Sequence, residues 1–240
     1  MALAGKDFIG IAQTGTGKTL AFGLPMLDRL SKTKGAQGLI LVPTRELAIQ
    51  VEETFNKVAR HLGVRTAILI GGSPIYLQKK ALRMHPHILI ATPGRMIDHL
   101  KQKTLQLGQV QILVLDEADR MLDMGFAPQI KEILKQVPAQ RQTMLFSATM
   151  PGELLHIAHS YMRSPLRVEV APSGSTAENI EQAFMVMNRE DKMKELCTLL
   201  REMDGTVLIF CRTKHGASKL SKQLRDQGFT AAEIHSHRSL

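Results

Sequence analysis

The stretch Ala12-Gln13-Thr14-Gly15-Thr16-Gly17-Lys18-Thr19 decides how the rest of the sequence is read. It follows a short apolar run, Phe8-Ile9-Gly10-Ile11, that reads as a buried strand. It precedes Leu20-Ala21-Phe22-Gly23-Leu24-Pro25-Met26-Leu27, which reads as a helix beginning at or near Gly17. A strand, a glycine-rich turn and Gly-Lys-Thr at a helix start form a cradle for the phosphates of a nucleoside triphosphate. The glycines let the backbone curl so that successive N–H groups point at phosphate oxygens. The helix N-terminus adds unpaired N–H groups and a partial positive charge. Lys18 is placed to reach the β and γ phosphates, and the Thr19 hydroxyl to ligate Mg²⁺. The general pattern opens with glycine; here that position is Ala12.

Working outward, the same alternation repeats. Gly38-Leu39-Ile40-Leu41-Val42 is a continuous apolar run, and Pro43 suits the first turn of a helix. That helix carries Leu47, Val51, Phe55, Val58 and Leu62 as one apolar stripe and ends at Gly63. Further strands are expected at Thr66–Ile70, stopped by Gly71-Gly72, at His87–Ala91, at Val110–Leu115 and at Thr143–Phe146. A short helix with Met96, Ile97 and Leu100 follows the fourth strand, and Pro151 opens another through about Met162. Continuous apolar strands alternating with amphipathic helices imply an α/β fold, a parallel sheet covered by helices on both faces. In such sheets ligands bind at the carboxyl ends of the strands. Gly-Lys-Thr, Pro43-Thr44-Arg45, Thr92-Pro93-Gly94-Arg95, Asp116-Glu117-Ala118-Asp119 and Ser147-Ala148-Thr149 all directly follow strands, so all belong on one edge.

The strand-end residues suggest their chemistry. Asp116 after an apolar strand suits an Mg²⁺ ligand bridging β and γ phosphates, and Glu117 suits orienting and deprotonating the attacking water. The pair would equally serve as a helix N-cap and first-turn charge. Arg45 and Arg95, with Thr44, Thr92 and the Gly71/Gly72 backbone, offer the mix of guanidinium, hydroxyl and N–H that contacts a phosphate backbone. Each arginine alone also suits a surface ion pair, and Ser147 and Thr149 also suit caps for the helix after Pro151. His85, His87, His156 and His159 show no metal-ligand spacing and read as structural or surface residues.

The formal net charge is +9 and unevenly placed. Residues 1–170 hold 21 Lys and Arg against 13 Asp and Glu; residues 171–240 hold 10 against 9. A polyanion partner suits the first part, and a solubilising surface is the plain alternative. Aromatics at 4% give no evident stacking platform for bases. No apolar run approaches the ~18–20 residues of a membrane span, so no membrane role is expected. The first residues, Met1 to Asp7, turn polar too quickly for a signal peptide. Cys197 and Cys211 lack metal-ligand spacing and imply a reducing, cytoplasmic setting.

Together these residues resemble the ordered motif set of the DEAD-box RNA helicases. The matching segments are Ala12–Thr19 (AQTGTGKT), Pro43–Ala48 (PTRELA), Gly71-Gly72, Thr92–Arg95 (TPGR), Asp116–Asp119 (DEAD) and Ser147–Thr149 (SAT). Val207–Thr213 (VLIFCRT) and His235–Leu240 (HSHRSL) resemble segments of the family's second RecA-like domain. The resemblance implies that Ala12 through Thr19 bind ATP, that Thr19 and Asp116 hold Mg²⁺, and that Lys18, Asp116 and Glu117 serve hydrolysis. It implies that Ser147 and Thr149 couple nucleotide state to unwinding. It further implies that Pro43, Thr44, Arg45, Gly71, Gly72, Thr92, Pro93, Gly94 and Arg95 grip RNA by its backbone, independent of sequence. In the family, ATP and RNA together close two RecA-like domains, which bends one strand and parts the duplex.

The expected organisation is a RecA-like ATP-binding domain over residues 1–170 and a linker over 171–179. An incomplete second RecA-like domain is expected over 180–240. Strands are expected near Gln182–Met187, Thr206–Phe210 and Thr230–Ile234, with helices near Asp191–Met203 and Gly216–Gln227. The family's adenine-reading glutamine motif would precede Met1, and its arginine-rich motif has no counterpart beyond the echo at His237-Arg238. The chain is therefore expected to be a monomeric fragment with weak turnover of its own. Two other readings stay open: an ATP- and RNA-binding module without catalysis, and a related translocase acting on DNA.

Overall fold

Seven short runs pair into a single parallel sheet in the computed structural model, which describes residues 2–13, 15–33, 35, 37–170, 181 and 183–235. The chain divides into two compact units, Met1–Thr176 and Ala177–Leu240. In the first, the strands are β1 (Phe8–Ile11), β2 (Gln37–Leu41), β3 (Thr66–Leu69), β4 (Ile88–Ala91), β5 (Val110–Leu115), β6 (Gln142–Ser147) and β7 (Leu166–Glu169). The helices are α1 (Lys18–Lys32), α2 (Arg45–Ala59), α3 (Ile75–Arg83), α4 (Pro93–Lys101), α5 (Ala118–Asp123), α6 (Ala127–Gln136) and α7 (Gly152–Tyr161). The strand order is β3-β4-β2-β5-β6-β1-β7, all neighbours parallel.

Alternate side chains of each strand enter different cores, as the pleat requires. Ile40, Ile88, Ile90, Ile112, Val114, Met144 and Phe146 face α1 and α2, where Phe22, Met26, Val51 and Phe55 are buried. Leu39, Leu41, Leu89, Leu113, Leu115 and Leu145 face the opposite layer, with Met96 of α4, Ile130 and Ile133 of α6, and Leu154 and Ile157 of α7. Both faces are therefore covered, and the inner strands carry no polar alternation. The Phe146 ring sits 5.4 Å from Phe22 and 5.6 Å from Phe8. Gly10 makes room for it: a Cβ there would lie 2.9 Å from both the Phe146 and Phe8 rings.

Several local expectations are corrected. Helix α2 begins at Arg45, not at Pro43, because the Thr44 hydroxyl accepts from the Leu47 N–H at 3.2 Å and caps it. Leu62 leaves the apolar stripe: the chain tightens into a 3₁₀ turn at Arg60–Leu62, and Leu62 is exposed. Helices α3 and α6 and the edge strand β7 have no counterpart in the sequence reading, while α5 starts where Asp116-Glu117 offered a helix start, with Glu117 at the N-cap position but no side-chain capping bond. β7 alternates half-buried and exposed residues, as an edge strand does.

The second unit holds α8 (Lys192–Glu202) and α9 (Lys214–Asp226), close to the expected helices. Its expected strands are absent among the described residues: 183–187, Thr206–Phe210 and Thr230–Ile234 pair with nothing in a sheet. An apolar run becomes a strand only when a neighbour takes its N–H and C=O groups. Here Phe184, Val186, Leu208, Phe210 and Ile234 are instead all exposed. The expected linker over 171–179 lies outside the described residues, as do Gln182 and His237-Arg238.

Candidate nucleotide and nucleic-acid site

Four of the motifs are pegged to the sheet by one more backbone bond beyond the strand before them. Ala12 N–H donates to Ser147 O at 3.0 Å, Asp116 N–H to Leu41 O at 2.9 Å, Val42 N–H to Ala91 O at 3.0 Å and Thr92 N–H to Leu69 O at 3.1 Å. The strand order then sorts the residues into two groups. The turns after β5, β6 and β1, which are consecutive in the sheet, carry Asp116-Glu117, Ser147–Thr149 and the glycine-rich loop. The turns after β3, β4 and β2, also consecutive, carry Gly71-Gly72, Thr92–Arg95 and Pro43–Arg45.

In the first group, Gly17 caps α1 with φ 83° and ψ 17°, a left-handed conformation that a side chain would strain. Lys18 Nζ donates to Ala12 O at 3.1 Å, which folds the lysine back over the loop. Thr16 Oγ1 donates to Gln13 O at 2.8 Å and closes the turn. Thr14 lies outside the described residues. Gln13, Gly15, Thr16 and Gly17 are exposed and Lys18 and Thr19 half-buried, so the loop is open to a ligand.

Asp116 is 2% exposed. Burial pushes its carboxyl up to about 6, against the pull of the nearby Lys18 ammonium, while Glu117 adds to the rise. Its Oδ1 accepts from the Glu117 N–H at 3.0 Å. Glu117 sits at φ 49° and ψ 50°, left-handed without being glycine, and its carboxylate pairs with Arg120 Nη1 at 3.1 Å. A non-glycine residue held there stores strain of order 1–3 kcal/mol, which the surrounding fold must support. Among the described residues no cluster of three or more His, Cys, Asp or Glu stands ready for a metal. Mg²⁺ is commonly held by one or two protein oxygens with substrate phosphates and water completing its shell. The buried Asp116 carboxylate beside Lys18, with the Thr19 hydroxyl at the start of α1, fits that kind of ion.

Ser147 and Thr149 do not cap α7, whose N-cap, Pro151, has no side-chain bond. They meet Asp119 instead. Asp119 Oδ2 accepts from Thr149 N–H at 2.8 Å and from Thr149 Oγ1 at 2.9 Å. Ser147 Oγ accepts from Asp119 N–H at 3.2 Å and donates to Thr149 O at 2.6 Å. Burial raises the Asp119 pKa, but the hydrogen bonds its carboxylate accepts from Thr149 and from the Arg120 N–H outweigh it and hold the group below its ordinary value. Asp119 is the residue that joins two motifs, and sequence spacing gave it no such role.

In the second group, Arg45 is exposed and its guanidinium lies against Gly72, so closely that a Cβ at Gly72 would land on it. Gly72 has φ 79°, so both its backbone and its neighbour require glycine. Arg95 is largely buried: Nη1 donates to Ser73 O at 3.0 Å and Nε lies 3.3 Å from Asp98 Oδ2. Thr92 is buried as the residue before α4, and Pro93 occupies the first turn. Gly94 has open space around it, Gly71 likewise, and Pro43 is buried. The turn after β3 is also held by Gln78 and His99, neither of which stood out in the sequence.

A sequence profile of the DEAD/DEAH box helicases matches residues 1–157. The chain is 46% identical over 236 residues to a DEAD-box ATP-dependent RNA helicase CshA of Bacillus cereus, a match covering 98% of this chain and 45% of the relative. It is 46% identical over 237 residues to an ATP-dependent RNA helicase CshA of Listeria monocytogenes, covering 98% of this chain and 46% of the relative. The chain thus spans a little under half the length of these curated relatives. The crystal structure of a DEAD box protein from Methanococcus jannaschii is similar at a TM-score of 0.67 and 37% identity, covering 99% of this chain and 64% of that one. With these matches and the ordered motif set on one sheet edge, the chain belongs to the DEAD/DEAH box helicase family.

Proposed function

We propose that this chain carries the ATP-binding core of an RNA helicase that couples ATP binding and hydrolysis to unwinding or remodelling of RNA duplexes. The observation that carries this reading is the strand order, which sets the glycine-rich loop and the Asp116 and Ser147 turns on β5-β6-β1 and the Arg45, Gly72 and Arg95 turns on β3-β4-β2. In this reading Ala12 through Lys18 surround the triphosphate, and Thr19 and Asp116 hold Mg²⁺. When bound, Mg²⁺ neutralises charge developing on the β–γ bridge and γ oxygens. Glu117 turns from Arg120 to orient the attacking water and take its proton. Ser147 and Thr149, fixed by Asp119, relay the nucleotide state. Thr44, Arg45, Gly72, Thr92, Gly94 and Arg95 take the sugar-phosphate backbone without reading bases, which leaves binding independent of sequence. The basic excess of residues 1–170 supports a polyanion partner, and the named activity of the relatives favours RNA over DNA. We place the protein in the cytoplasm as a monomer.

The test is ATP turnover by the chain with single-stranded RNA, and with DNA of equal length. RNA should stimulate turnover, DNA should not, and Glu117→Gln should abolish turnover while keeping ATP affinity. Equal stimulation by DNA would remove RNA from the proposal, because a ribose 2′-OH is what separates the two. A second reading is that the chain binds ATP and RNA with little turnover of its own. The unpaired apolar segments of the second unit favour it. RNA-dependent ATP binding without RNA-dependent turnover would establish this second reading.

A further inference from the structure

Four residues of the turn after β3, Ile70 to Ser73, are held from three helices at once. From α2, Arg45 lies against Gly72. From α4, Arg95 Nη1 donates to Ser73 O at 3.0 Å. From α3, Gln78 Nε2 donates to Ile70 O at 2.9 Å and to Ser73 O at 3.4 Å. Gln78 is the only residue of α3 that is fully buried. It is polar, in a position where an ordinary amphipathic helix places an apolar side chain.

The Gln78 amide is itself fixed. With its nitrogen committed to two carbonyls, its Oε1 must accept, and it faces His99 Nε2 at 3.0 Å. That assigns the Nε2–H tautomer to His99. The unprotonated His99 Nδ1 then faces the Thr104 hydroxyl at 2.7 Å, and that hydroxyl, 3.1 Å from His99 O, shares its one proton between the two acceptors. His99 is completely buried in the last turn of α4. Burial, then the cations Arg95 and Lys79, lower its pKa against the opposing Asp98, so the ring stays neutral at neutral pH. A buried polar chain of this kind is costly unless every member is paired, and paired it specifies one arrangement.

We propose that His99 and Gln78 are positioning residues for nucleic-acid binding: they set the Gly71-Gly72 turn against the start of α4, so that Arg45, Gly72 and Gly94 face one span of backbone. Neither touches the ligand. The inference rests on the RNA reading above. It separates these two residues from the nucleotide loop, which lies on other strands of the sheet.

The test uses the 240-residue chain, a fluorescein-labelled oligouridylate and a fluorescent ATP analogue. His99→Leu removes the donor to Gln78 and strands a buried acceptor. It should weaken oligouridylate binding by about tenfold, with ATP-analogue affinity unchanged. His99→Gln restores an N–H donor at the same reach and should recover most of the RNA affinity. Gln78→Glu keeps the shape but replaces the donor aimed at Ile70 and Ser73, and should weaken RNA binding as His99→Leu does. Imidazole nitrogen shifts in the unsubstituted protein should report the Nε2–H tautomer. RNA affinity that survives in both His99→Leu and Gln78→Glu overturns the inference alone. A parallel loss of RNA affinity, ATP affinity and melting temperature also overturns it, as a plain packing role. Failure of the unsubstituted chain to bind oligouridylate overturns the RNA reading, and the inference with it.

Discussion

Asp116 and Asp119 stand three residues apart and are displaced in opposite directions, up for the first and down for the second. Asp116 is sealed from water with Lys18 as its nearby cation; Asp119 is only partly buried and collects several donors. The signs of their contributions to stability differ accordingly. A raised folded pKa makes the fold hold the Asp116 proton more tightly than the unfolded chain does. Its contribution is therefore present below about 4 and lost as pH rises through about 6. Above that, an ionised buried carboxylate weighs against the fold. Asp116→Asn should stabilise the nucleotide-free chain at neutral pH by on the order of 1–3 kcal/mol in urea unfolding, and abolish Mg²⁺-dependent ATP affinity. Lower stability in that variant would contradict the burial argument. Asp119 contributes above its unfolded pKa and loses that contribution on acidification. Asp119→Ala removes the acceptor of the exposed Thr149 N–H and hydroxyl, which water then takes over, and should cost about 0.5–1.5 kcal/mol in the same assay. The placement of Lys18, Thr19, Asp116 and Glu117 at strand ends on one edge of the sheet was legible, because each directly follows or closes a turn after an apolar run. The bracket Asp119-Ser147-Thr149 was not, since it joins two turns 28 to 30 residues apart in sequence.

At the scale of elements, legibility followed burial. Strands β2, β4 and β5 are covered on both faces and announce themselves as apolar runs, interrupted only by Gln37 at the start of β2 and Gln111 in β5. Helix α3 does not, because its buried position is Gln78 and its exposed residues include Tyr76 and Leu77, so no apolar stripe marks it. The turn before it depends on a glycine for two independent reasons. Gly72→Ala would force a side chain into φ 79° and onto the Arg45 guanidinium. It should cost about 1–2 kcal/mol of stability and weaken RNA binding while sparing ATP binding, measured by anisotropy with each ligand. Retained RNA affinity would show that Arg45 does not need its place over Gly72. In β1, Gly10→Ala overfills the space between the Phe8 and Phe146 rings, and should lower stability by roughly 1–3 kcal/mol in thermal or urea melts. An unchanged midpoint would mean that the rings give way freely.

At the scale of the whole molecule, the two units differ in kind. The first buries two cores on either side of a seven-stranded sheet; the second has two described helices and apolar segments turned to solvent. Sequence composition suggested strands in both, because apolar content reports an inclination toward a sheet and not the presence of a partner strand. Hydrogen exchange should divide the same way. Amides of β2, β5 and β6 should exchange only through global opening, and those of 183–187 and Thr206–Phe210 near their unprotected rates. Core-like protection of the latter segments would contradict the description of the second unit. The central claim remains that the glycine-rich loop and the Asp116 turn form one MgATP site. Calorimetric titration of MgATP into the unsubstituted chain and into Lys18→Ala tests it most directly. Binding should be saturable and Mg²⁺-dependent, and Lys18→Ala should weaken it by roughly tenfold to a hundredfold. Binding that is equal in the two proteins, or indifferent to Mg²⁺, would contradict it.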